Sequence, residues 1–125
     1  MERNRLLPLV HMWAAFITFL PAVGLGVWQM LMRSSLPAPV DDPNMYYASV
    51  TAHGTIMAYV FPTLFAMGFG YAIANSARNG ALAGKKIAWT GFFLLITGLI
   101  MAVIPIISGT SSVLYTFYPT LIGSP

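Results

Sequence analysis

Three long stretches of the chain carry no Asp, Glu, Lys or Arg: Leu6 to Met32 (27 residues), Met45 to Ala77 (33) and Ile87 to Pro125 (39). About 20 apolar residues cross a hydrocarbon core of roughly 30 Å, so each stretch is long enough to span a bilayer once. The polar punctuation agrees with this. Ser34 to Asn44 holds three prolines and two aspartates and reads as a connection at a membrane face. Asn75 to Lys86 is a second connection, with the turn formers Asn75-Ser76 and Asn79-Gly80 and the charges of Arg78, Lys85 and Lys86. Ser108-Gly109-Thr110-Ser111-Ser112 ends the last helix. The pattern therefore predicts an all-α polytopic membrane protein, a single membrane segment over 1–125 with helices over about 6–33, 45–77 and 87–108 and a tyrosine-rich segment at 113–119. The opening Met-Glu-Arg-Asn-Arg has the basic character of a signal peptide. The apolar stretch behind it is too long for one, however, and Leu36-Pro37-Ala38-Pro39 is a poor cleavage site, so a retained helix is expected.

Composition strengthens this picture. The chain is 58% hydrophobic and 7% charged, against about a quarter charged in soluble domains. Six basic residues scattered over three short segments form no basic face, which excludes nucleic acid as a partner and leaves membrane lipid. Their distribution instead speaks to topology: Arg3, Arg5, Arg78, Lys85 and Lys86 fall on one side, and Arg33 faces Asp41 and Asp42 on the other. The positive-inside rule then puts the N-terminus in the cytoplasm and the C-terminus outside. Trp28, Tyr46, Tyr47, Tyr115 and Tyr118 gather towards the outer interface, where amphipathic rings are favoured. Small residues at Gly24 and Gly26, Ala66 and Gly70, and Thr90-Gly91 and Thr97-Gly98 offer flat patches for helix packing. Pro62 is expected to bend the second helix.

The absence of cysteine excludes disulfides, thiolate metal sites and iron-sulfur clusters, leaving His11 and His53 as the obvious ligands. His53 lies seven residues beyond Tyr46, about 10 Å along the helix and roughly a third of the way into the bilayer. An ionisable residue at such depth marks a functional site by default, although a neutral histidine bonded between helices would look the same in sequence. Ser49, one turn back, is placed to accept the Nδ1 proton and leave Nε2 as the ligand atom, while Ala52 and Gly54 leave lateral room for a flat macrocycle. With no carboxylate nearby, a haem suits this histidine better than a hydrolytic metal. His11, about 8 or 9 Å inside the opposite end, sits at a different depth and reads as a packing histidine.

The stretch Tyr46-Tyr47, Thr51-Ala52-His53-Gly54, Phe61 and Leu64-Phe65-Ala66 resembles the second helix of subunit I of the haem-copper oxygen reductases. Val113-Leu114-Tyr115-Thr116-Phe117-Tyr118-Pro119 is similar to the segment after helix three in the B-type branch, and Val27-Trp28-Gln29-Met30-Leu31 is similar to the end of its first helix. The resemblance covers nearly all of the chain and about the first quarter of such a subunit, the opening of a twelve-helix-type bundle. It implies that His53 is an axial ligand of the low-spin haem, which passes electrons to the haem-copper centre where oxygen is reduced. It also implies that Tyr115 and Tyr118 neighbour the haem or the oxygen route. Expected partners are the remainder of subunit I or a split partner chain, together with oxidase subunit II, in the cell membrane of a prokaryote. The connection from Asn75 to Lys86 has no carboxylate where A-type members carry a proton-collecting Asp, which agrees with the B-type branch.

The chain has no third histidine, so copper and the second haem are expected only in a complete subunit, and a truncated or split subunit inactive by itself is the expectation. Two other readings stand beside it: the related nitric oxide reductase large subunit, which shares the helix-two histidine, and a small non-catalytic membrane protein, such as an accessory subunit or transporter fragment, whose histidine only packs.

Overall fold

A computed structural model describes residues 5–36, 42–78 and 82–108 of the chain. Among the described residues, three helices long and apolar enough to cross a membrane run over Leu6–Arg33, Pro43–Ala77 and Lys85–Ile107, in agreement with an all-α membrane fold. The first is α1 (Leu6–Arg33). The second divides into α2 (Pro43–Thr55), a π-helical turn (Ile56–Val60) and α3 (Phe61–Ala77). The third is α4 (Lys85–Ile107).

Local chemistry explains the ends. The Asp42 carboxylate accepts the Asn44 N–H at 2.9 Å, and Pro43 fills the first turn, where its missing N–H has no cost. Gly84, at φ 71°, takes the left-handed conformation that turns the chain into α4. The disturbance expected at Pro62 is found one turn earlier, as the π turn, in which the Phe61 N–H reaches back to Ile56 O. A widened ladder ahead of a residue that cannot donate redistributes carbonyls the proline would otherwise strand.

Apolar side chains are exposed along all three spans, as a lipid solvent allows, so hydrophobicity alone does not mark the packed faces. On α1 the buried positions are Leu7, Pro8, His11, Ala15 and Ala22, a stripe at helical spacing. Small residues let α3 approach closely along it. A Cβ on Gly68 would lie 3.1 Å from His11 Cβ, 3.1 Å from Met12 Cγ and 3.2 Å from Pro8 O. Other patches expected to pack face open space: a Cβ at Gly24, Gly70, Gly91 or Gly98 meets nothing within 4 Å, and Ala66 is exposed. In α4 the buried residue is Ala88.

This contrast makes a prediction. Gly68→Ala should destabilise the bundle, because overpacking against a backbone carbonyl costs about 1–3 kcal/mol and outweighs the helix-propensity gain of up to about 1 kcal/mol. Gly70→Ala, two residues away with open space around it, should keep that gain. Thermal unfolding of the two variants in detergent should move in opposite directions.

Candidate functional site

His53 sits on the last turn of α2, directly before the π turn, with its imidazole turned towards α1. Nδ1 lies 2.7 Å from the Ala22 carbonyl oxygen. A carbonyl only accepts, so Nδ1 carries a proton, and in the neutral imidazole Nε2 then has the lone pair. The Ala22 oxygen is part of the α1 ladder, and its second lone pair is free to take the imidazole. The ring rests on Gly26, one turn further along α1. A Cβ there would stand 3.0 Å from His53 Cε1, 3.4 Å from Nδ1 and 3.8 Å from Nε2. Close by, Gln29 Nε2 donates to Ser49 O at 3.0 Å and ties α1 to α2.

Ser49 therefore has a role other than the one expected. Its hydroxyl donates to Tyr46 O at 2.6 Å and its carbonyl accepts from Gln29, while the His53 Nδ1 proton goes to Ala22. The reason is geometric: a helical serine hydroxyl readily satisfies itself on the preceding turn, and a neighbouring helix carbonyl presents a lone pair directly to the ring. Ala52 lines an apolar groove of about 800 Å³ between α1, α2 and α4, together with Thr55, Tyr59 and Leu99. His53 is not part of that lining, so the groove and the imidazole belong to different faces. Tyr115 and Tyr118 lie outside the described residues.

His11 differs in its burial and in bonding within its own helix. It is fully buried, its Nδ1 is 2.8 Å from Leu7 O on its own helix, and its ring is tilted against Tyr71 (5.2 Å) and Phe92 (4.7 Å). Its Nε2 is buried without a hydrogen-bond partner. The seat of His53 at Ala22 is eleven residues further along α1, about 16 Å at helical rise, so the two imidazoles cannot ligate one iron from opposite faces.

The donor set fits a haem. Among the described residues no three or more His, Cys, Asp or Glu come together, so a hydrolytic metal would lack ligands. A haem brings its own equatorial nitrogens and asks the protein only for axial bonds, which a neutral imidazole with Nδ1–H held by a carbonyl would be able to supply through Nε2. At the polar end of the same helix pair, Arg33 Nε donates to the Tyr46 hydroxyl and the guanidinium stands 5.5 Å from that ring's centroid. This anchor joins the end of α1 to the start of α2.

Sequence reasoning overlooked Ala22, Gly26 and Gln29 as a group. They fall on one face of α1 at spacings of four and three, and small or polar residues recurring so on an apolar helix were the available signal.

Fold and composition define a multi-pass helical membrane protein built around a histidine held between helices. Residues 7–125 match the family of cytochrome c and quinol oxidase polypeptide I, and the chain belongs to that family. It is 33% identical over 78 residues to cytochrome c oxidase subunit 1 of Thermus thermophilus, a match covering 62% of this chain and 14% of that protein. No solved structure matches. The family implies haem and copper in the complete subunit, with the rest of subunit I and other oxidase subunits as partners.

Proposed function

We propose that this chain forms the N-terminal part of a terminal oxidase subunit I of the B-type branch and that His53 supplies one axial ligand of its low-spin haem. The observation that carries the reading is the 2.7 Å bond from His53 Nδ1 to the Ala22 carbonyl, which makes Nε2 the ring nitrogen available to a metal in the neutral imidazole. When bound, the haem supplies one-electron chemistry, and the chain's own residues hold and orient its ligand. The matched family supports the reading, as does the depth of His53 in an apolar helix. Copper, the second haem and the remaining ligands come from outside these residues, whose histidines number two. Tyr115 and Tyr118 are proposed neighbours of the haem or of the oxygen route. Replacing His53 in the assembled oxidase and reading the low-spin haem spectrum, with His11 as the paired control, tests the ligand assignment.

The proposed setting is a prokaryotic cell membrane with the N-terminus in the cytoplasm. Five of the six basic residues fall on that side, and three crossings put the two ends on opposite sides. Reporter fusions at residues 40 and 82 should report outside and inside respectively. The reverse pattern would put His53 in the cytoplasmic half and overturn its proposed placement on the outer side.

A further inference from the structure

We infer that Gly26 is a positioning residue for His53 and that, with the Ala22 carbonyl, it sets the plane and donor strength of the imidazole. This rests on the reading of His53 as a haem ligand and extends it to the helix that faces the ligand. Three observations converge. The Ala22 carbonyl oxygen accepts a hydrogen bond from Nδ1–H, with 2.7 Å between nitrogen and oxygen. The Cε1 edge of the ring lies 3.0 Å from an ideal Gly26 Cβ, closer than ordinary van der Waals contact. Gln29, three residues beyond Gly26, holds α2 to α1 through Ser49 O at 3.0 Å.

These contacts determine what yields when a methyl group is added at Gly26. The two helices are tied close to the histidine, and the Ala22 carbonyl is fixed in its helix ladder, so the imidazole ring moves before the helices part. Rotation about its side-chain bonds carries Nδ1 away from the carbonyl. A hydrogen bond from the distal ring nitrogen raises the basicity of a ligating imidazole, which stabilises the oxidised iron. Weakening it therefore raises the reduction potential. Gly24, two residues away, provides the internal control, because a Cβ there meets nothing within 4 Å.

The test uses the assembled oxidase with Gly26→Ala, Gly24→Ala and Gln29→Ala, read by redox titration of the low-spin haem and by electron paramagnetic resonance of its ferric form. Gly26→Ala should keep its haem, shift the midpoint potential upward and alter the g-anisotropy that reports ring orientation, while Gly24→Ala matches the parent. Gln29→Ala loosens the same helix pair without touching the ring and should shift the potential the same way by less, which keeps a measurement in hand if Gly26→Ala fails to assemble. A potential and g-values at Gly26→Ala equal to those of Gly24→Ala overturn the inference, as does an unmoved Gln29→Ala should the first variant not form. His53→Ala in the same series separates the two readings. Survival of the bis-histidine spectrum there removes the ligand assignment itself, whereas its loss beside an unmoved Gly26→Ala overturns only the positioning role.

Discussion

In an assembled oxidase carrying His53→Ala, the bis-histidine low-spin spectrum should be lost, whereas His11→Ala should keep it. The expected difference is all or none at His53, because no other imidazole of this chain lies within reach: His11 is about 16 Å away along α1 and is enclosed by Tyr71 and Phe92. His11→Ala should act on stability instead. Removing a fully buried ring leaves a cavity beneath two aromatic side chains, at a cost on the order of 2–4 kcal/mol. His11→Leu should recover much of that cost, since leucine fills the space and removes a buried acceptor, Nε2, that has no partner. Haem spectra and thermal unfolding measured on the same preparations separate the two histidines. A normal low-spin spectrum in His53→Ala would falsify the assignment.

The chain's membrane character was legible because charge-free stretches of sufficient length have no stable alternative in water. His53 stands out in the sequence as a candidate, being an ionisable residue in an apolar helix within a recognisable surrounding motif. The acceptor of its Nδ1 proton does not. Ser49 was the sensible choice from one helix read alone, but the acceptor is a main-chain oxygen on a different helix, and every residue carries such an oxygen. Only the rotation of α1 about its axis selects Ala22. That rotation is hard to read from hydrophobicity, because a helix in lipid is apolar all round and its packed face is distinguished by being smaller or more polar. The same ambiguity pairs Gly24 with Gly26 as one packing patch when Gly26 alone of the two meets a neighbour, and selects Gly70 where Gly68 holds the contact. The π turn was equally hidden. Pro62 announces a disturbance, but where the ladder widens depends on which carbonyls find other donors.

The isolated 125-residue chain should reduce no oxygen and hold haem weakly. A low-spin iron takes two axial ligands, and the chain's two histidines are too far apart along α1 to share one, so each copy offers a single bond from His53. Two copies could place two His53 rings about one haem, and the exposed apolar side chains along the helices leave surface for such contact. Even then no oxygen-reducing centre would follow. The chain has no cysteine and no histidine beyond these two, and its described residues gather no further ligand cluster. Electrons reaching a haem between two copies would have nowhere to go. The chain purified in detergent and mixed with haem should thus give at most a weak, concentration-dependent low-spin spectrum. With a reduced donor it should take up oxygen no faster than free haem in the presence of catalase. Cyanide-sensitive uptake above that background would mean that these helices carry an active site of another kind, and the reading of the chain as one contributor to a larger haem-copper subunit would fall with it.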